Sequence, residues 1–274
     1  MYVACSSLAC DNSAYPTLAD TLARLSDLGF GAIDLAVFEN WQEVNPSALA
    51  DDEALLVRVA SDVTESELFV SSFNAGLSRK LGDPDPQAPA QIKREFAALL
   101  ELADAVSCPN ITLQPPTMRD DATVEEQLDI ARRQLSALAE MKGGRKITIG
   151  LEGHANTLIE KPGPAIELMR GLWPAVGYVY DPSHPELQDV PLADTEPLLE
   201  YTCHVHVRNA STGKMQDTME SGTVDFAWVI DALKRAGYDG AVAIEYFSNF
   251  DPEFKSVMAL RDRLVELGLD AKPG

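Results

Sequence analysis

The sequence predicts an α/β fold, a single (β/α)8 TIM barrel forming one domain over residues 1–274. Three observations predict it. Eight short apolar runs rich in β-branched and aromatic residues alternate with eight amphipathic stretches of helical period. Strict strand–helix alternation implies parallel βαβ units, and eight such units close most economically into a barrel. The length of 274 residues suits one such barrel and shows no linker or composition break that would divide it. A doubly wound open sheet is the structural rival. No G-x-G-x-x-G follows the first run, however, and no glycine cluster forms a phosphate-cradling loop.

The elements follow in order. Tyr2–Ser6 is the first strand; the Pro16-Thr17 pair then opens a helix over Thr17–Leu28, which Gly29 and Gly31 close. Strand two is Ala32–Val37 and its helix Asp51–Val63, strand three Leu68–Phe73 with a helix from Pro89 to Val106. Asn110–Gln114 and Val124–Lys142 make the fourth unit, Ile147–Glu152 and Pro164–Leu172 the fifth, Val176–Tyr180 and Leu192–Glu200 the sixth. Cys203–Val207 precedes a helix over Asp225–Ala236 that Gly237 and Gly240 end. Ala241–Tyr246 closes the set, followed by a helix over Asp251–Leu267 that the Asp251-Pro252 pair opens. Only the tail, Ala271–Gly274, reads as loose.

Composition excludes several partners. Forty-three acidic residues against 22 basic ones leave a net charge of −21, which repels phosphate backbones and anionic lipid surfaces. Nucleic acid and membrane are therefore not expected partners, and no apolar run approaches the roughly 20 residues that span a bilayer. The opening MYVACSSLACDNSAY has neither a basic segment nor a long apolar stretch, so a cytoplasmic location is expected. Cys5, Cys10, Cys108 and Cys203 form no C-x-x-C pair and read as reduced thiols.

A barrel directs attention to the carboxyl ends of its strands. Ionisable residues gather there. Strand five ends GLEGH, with Glu152 and His154; strand six ends VYDPSH, with Asp181 and His184; strand eight is AVAIEYF, with Glu245. In the strand-seven stretch HVHVRNA, His204, His206 and Arg208 lie two residues apart and so share one face. All four histidines of the chain fall on these last four strands. Carboxylates inside runs buried on both faces cost several kcal/mol each, roughly, unless paired, and a shared cation supplies the pairing. A mostly oxygen donor set with a neutral histidine suits Mn²⁺, Mg²⁺ or Co²⁺; Zn²⁺ is compatible but usually takes more nitrogen or sulfur. Mn²⁺ is the expected ion.

These motifs resemble the xylose isomerase-like TIM-barrel superfamily, in its sugar phosphate isomerase/epimerase branch. The likeness runs through nearly the whole chain: the strand-two segment LGFGAIDL, then LEGH, YDPSH and HVHVRN, and the closing unit GTVDFAWVIDALKRAGYDGAVAIEY. The resemblance implies a metal site of Glu152, Asp181, His206 and Glu245. Of the strand-seven histidines, His206 matches the ligand position better, because the relatives' ligand precedes a short basic or amide tail like Val207-Arg208-Asn209. His204, one layer deeper, is expected to orient a metal ligand through a hydrogen bond, or to be purely structural.

The resemblance also implies the chemistry: isomerisation or epimerisation of a sugar, or of a sugar-derived keto acid, by proton transfer through a metal-stabilised enediolate. Glu152 and Glu245 would remove and return the proton. His184, in a D-x-x-H spacing, would hydrogen-bond the developing oxyanion with help from Arg208. Two departures weaken transfer of the epimerase substrate. Leu158 stands where ketose 3-epimerases carry a further glutamate, and Arg208 lies two rather than six residues beyond the metal histidine. His154, beside Glu152, could act as an independent base, which suits a lyase: a dehydratase or a 3-keto-glycoside β-eliminase. An AP endonuclease is disfavoured, since VSSFNAG and ITLQPP contain no histidine. A sugar-binding barrel without catalysis is disfavoured by the presence of both glutamates.

Asn74 and Gln114 are expected to meet sugar hydroxyls, Phe38 and Trp41 to stack on a sugar face or cover the mouth, and Gln216 to close over the ligand. No phosphate-binding signature is present, so an unphosphorylated sugar or keto acid is at least as well suited as a sugar phosphate. Barrels of this kind often pair into dimers or tetramers, so a homo-oligomer is compatible with the reading.

Overall fold

A computed structural model describes residues 1–39, 41–42 and 44–274. Eight parallel strands close into one barrel in sequence order: β1 (Tyr2–Ser6), β2 (Ala32–Phe38), β3 (Phe69–Gly76), β4 (Asn110–Leu113), β5 (Thr148–Glu152), β6 (Val176–Tyr180), β7 (Thr202–Val207) and β8 (Ala241–Ile244). The outer layer comprises α1 (Leu18–Asp27), α2 (Pro46–Asp51), α3 (Glu53–Glu65), α4 (Ala88–Val106), α5 (Val124–Lys142), α6 (Pro162–Arg170), α7 (Ser183–Leu187), α8 (Phe226–Arg235) and α9 (Lys255–Glu266). None of the described helices is long and apolar enough to cross a membrane.

All eight expected strands form, and the differences at the helices have local causes. The α1 start is a reciprocal cap: the Thr17 side chain accepts from the Asp20 backbone while Asp20 accepts from Thr17. The segment expected as a helix over Leu192–Glu200 is a 3-10 helix, Leu192–Tyr201, with Pro197 inside it. Proline has no N–H and its ring crowds the preceding turn, so a regular α-helix cannot run through that position. The last helix begins at Lys255 rather than Asp251, because the Asp251 carboxylate accepts from the backbone of Lys255 (2.9 Å) and Val257 (2.9 Å) and thus lies outside the turn that it caps. The short α2 and α7 were not anticipated; each begins beside a proline, at Pro46 and Pro182.

Two clusters make up the core. The larger packs strands against helices, whereas Ala4, Ala32, Ala241 and Ala243 form a small cluster of their own on β1, β2 and β8. His206 pairs in register with Ala243, so an imidazole on β7 stands beside a methyl group on β8. The β2–β3 register shifts between Ile33 and Asp34, an irregularity of the kind that re-aims a side chain near active sites. Gly153, directly after Glu152, is demanded by packing: a Cβ there would lie 1.7 Å from the Tyr178 hydroxyl oxygen.

Candidate metal and active site

Strand ends deliver the site. Glu152 is the last residue of β5, His204 and His206 alternate on β7, and Asp181 and Glu245 directly follow β6 and β8. All five are buried, as are Asp34, His184 and Arg208. His206 lies between three acids: its Nδ1 is 2.9 Å from Glu152 Oε1 and 3.8 Å from Glu245 Oε1, while its Nε2 is 3.3 Å from Asp34 Oδ2. Burial works against its charge, yet Glu245, Asp34 and Glu152 together raise its pKa well above the ordinary histidine value. The same contacts hold the acids down. Although burial opposes ionisation, His206 and His204 keep Asp34 at about 2, and the His206 hydrogen bond keeps Glu152 at about 2.

Asp34 was not singled out from the sequence. It sits in the quoted segment LGFGAIDL as an acid inside an apolar strand, the same signal that drew attention to Glu152 and Glu245. His204, expected to orient a metal ligand through a hydrogen bond or to be purely structural, lies 2.9 Å from Asp34 Oδ2, the oxygen that is also 3.3 Å from His206 Nε2.

Arg208 is embedded rather than displayed. Its Nη1 donates to the Glu245 carbonyl at 3.1 Å and to Glu245 Oε2, and its Nε donates to Ser183 Oγ at 3.0 Å. Its Nη2 lies 2.8 Å from Asp181 Oδ2 and 3.2 Å from His184 Nε2. The Asp181 ion pair lacks hydrogen-bond angles, so Oδ2 is buried with charge compensation but without a directed donor. Burial drives the His184 pKa well below its ordinary value and so keeps the ring neutral. Burial also pushes Glu245 up to about 7, against the pull of His206 and Arg208.

Asp181 and Glu245 pair with Arg208 while Asp34 and Glu152 lie against His206, so with His206 protonated and Glu245 ionised two negative charges remain in excess. Glu152, His206 and Glu245 each offer a ligand atom within 4.8 Å of the others, and Asp181 adjoins them through Arg208. The donor chemistry, the charge excess and the donorless Asp181 Oδ2 all fit a divalent cation. An N–H on His206 Nε2 directed at Asp34 would leave Nδ1 as the coordinating atom.

Above this floor opens a cavity of 590 Å³. Glu152, His154, Arg208, Glu245, Asn74 and Gln114 line its inner part. Asn74 donates to Glu245 Oε1 at 2.7 Å, so its Nδ2 is already engaged, whereas its Oδ1 is buried without a partner. His154 donates from Nδ1 to the Ala155 carbonyl at 2.7 Å, which leaves its Nε2 lone pair available, and its ring lies 4.1 Å from that of His184. Phe38 and Trp41 also line the cavity. Gln216 bears on it indirectly: its Oε1 accepts from the Phe247 backbone at 2.7 Å, and Phe247 lines the wall.

The family description "Xylose isomerase-like TIM barrel" matches residues 22–263. The chain belongs to that family. Solved structures share the fold across the whole molecule. A 3-keto-D-glucoside 4-epimerase from E. coli, YcjR, superposes with a TM-score of 0.75 at 16% identity, covering 97% of this chain and 98% of the other. A D-tagatose 3-epimerase-like protein does so with a TM-score of 0.77 at 19% identity and the same 97% and 98% coverage. The IOLI protein, solved with a binding zinc atom, gives a TM-score of 0.77 at 16% identity, again covering 97% and 98%. No curated protein sequence matches the chain significantly. At these identities the neighbours speak for the fold of this family member.

Proposed function

We propose that this protein is a divalent-metal-dependent isomerase or epimerase acting on a sugar or a sugar-derived keto acid. The observation that carries the reading is the approach of both Glu152 and Glu245 to His206 Nδ1, at 2.9 and 3.8 Å, beside a cavity with room for such a substrate. Glu152, Asp181, His206 and Glu245 would hold the ion, with Mn²⁺ the ion we expect. Such an ion acidifies the carbon between a carbonyl and its neighbouring hydroxyl.

The chain's own groups supply the rest. One glutamate takes the proton from that carbon and the other returns it from the opposite side. His184, neutral and beside both Glu152 and Asp181, donates to the oxygen on which charge develops. Arg208 sets the orientation of Glu245 and adds positive potential at the same oxygen. Asn74 Oδ1 and Gln114 accept hydroxyl hydrogens.

A second reading is favoured by His154. Its free Nε2 faces the cavity next to Glu152, as a base for elimination would, and this supports a lyase acting on the same class of substrate. The experiment is metal analysis followed by an Mn²⁺-supplemented screen of ketoses and keto-glycosides in D₂O. Solvent deuterium in recovered, inverted sugar supports epimerisation. An unsaturated or aglycone product supports the lyase, and a protein that neither retains metal nor exchanges any substrate proton sinks both.

A further inference from the structure

We propose that the outer half of the cavity is a subsite for a planar apolar substituent, so that the substrate is a sugar carrying an aromatic group rather than a free sugar. This rests on the sugar reading above and narrows it. A cavity of 590 Å³ falls within the roughly 300–1,000 Å³ of sites for drug-sized ligands and exceeds the needs of one sugar ring. The polar groups at the strand ends, Glu152, Arg208, Glu245 and Asn74, form one part of the lining; the loops add an apolar set, Leu8, Phe38, Trp41, Leu77, Leu81 and Phe247, beside the polar Glu39, Ser78, Arg79 and Lys80.

Several of these residues are held in place. Phe38 ends β2, Leu8 and Phe247 follow the adjacent strands β1 and β8, and the Ser248 backbone donates to the Leu8 carbonyl at 3.1 Å, tying two of these loops together. Phe38 fits only because its register partner is Gly76: a Cβ there would lie 2.4 Å from the Phe38 ring. Phe247 keeps 37% of its surface exposed although it is large and apolar, and it is fixed by the Gln216 contact and by the Arg208 guanidinium 5.5 Å from its ring centre. A ring held open at a cavity mouth is costly to solvate and favourable to cover, and aromatic partners gain from offset or edge contact.

Two orphaned polar atoms agree with a two-part ligand. Asn74 Oδ1 lacks a donor at the inner end, where a sugar hydroxyl would reach it. Among the described residues the buried Trp41 indole N–H has no acceptor, and the oxygen linking sugar to aromatic ring would supply one. Of the cations in the lining, Arg79 pairs with Asp83 and Asp85 at 3.5 and 3.1 Å, and Lys80 donates to Thr117 Oγ1 at 3.2 Å.

Calorimetry on the Mn²⁺-supplemented protein tests this with methyl and phenyl pyranosides of glucose, galactose and xylose. The phenyl member of at least one pair is expected to bind about tenfold or more tightly than its methyl counterpart. In Trp41→Ala that ratio falls toward one, and in Trp41→Phe much of it returns. Equal affinity for every methyl and phenyl pair overturns the subsite while leaving the sugar reading in place. Absence of binding by all six pyranosides overturns the subsite as well, and the sugar reading then stands or falls with the deuterium-exchange screen.

Discussion

Asp34 and His206 meet across the barrel interior, Oδ2 to Nε2 at 3.3 Å, and the same Oδ2 receives His204 at 2.9 Å. A carboxylate behind a metal-binding imidazole selects its tautomer and raises its basicity, and loss of such a partner typically costs about 10–100-fold in metal affinity. Asp34→Asn is therefore expected to weaken Mn²⁺ binding by about that factor, as read by calorimetric titration, with the far-UV spectrum unchanged. Unaltered affinity would show that Asp34 merely fills the interior.

Glu152 touches His206 and lines the cavity, so Glu152→Gln would remove a charge from both the proposed donor set and the proposed proton path. Retained metal should drop to well below one equivalent after gel filtration, and solvent deuterium exchange into substrate should vanish. Full exchange by this variant would take Glu152 out of the chemistry.

Stability of the metal-free protein should depend on pH in two opposite ways. Glu245 titrates at about 7 instead of 4.5, so folding favours its protonated form; that contribution is complete below pH 4.5 and is lost as pH rises through about 7. His206, whose pKa is also raised, adds to the same alkaline loss. Glu152 and Asp34, held at about 2 against ordinary values of 4.5 and 3.8, contribute above those ordinary values and lose their contribution as pH falls toward 2. His184 and His204, whose pKa values burial lowers, contribute above the ordinary 6.5 and lose that contribution as pH falls below it, so the chelated protein should melt at its highest temperature at roughly pH 6 to 7 and fall by several degrees, roughly, toward pH 9. Excess Mn²⁺ should flatten the alkaline limb. A melting temperature in chelator that does not move between pH 5 and 9 would contradict this electrostatic picture.

Gly153→Ala would set a methyl group 1.7 Å from the Tyr178 hydroxyl oxygen, directly beside Glu152. Overpacking of this kind costs about 1–3 kcal/mol. Chemical denaturation should report a loss in that range, together with weaker metal binding because the end of β5 must shift. An unchanged midpoint would mean that Tyr178 swings aside freely.

Several parts of this molecule could be read from residue order alone. The eight strands, the closing order of the barrel and the rim position of Glu152, His154, Asp181, His184 and Glu245 follow from short-range patterns, since alternation and apolar runs act over a few residues. The same local logic put His204, His206 and Arg208 on one face. It failed where a single residue set the outcome: Pro197 turned an expected α-helix into a 3-10 helix, and the Asp251 cap displaced a helix start by four positions, from Asp251 to Lys255.

Contacts between distant strands were decided only by the folded barrel. Asp34 and His204 stand 170 positions apart, and nothing near either of them names the other. Strand period says toward which side a residue points, but barrel closure and register, here including the shift at Ile33/Asp34, decide which residue it meets. That is why the sequence could suggest a cation among the acids, whereas the burial of Arg208 between Asp181 and Glu245 and the contact of His206 with Asp34 emerged only when the ring of strands was complete.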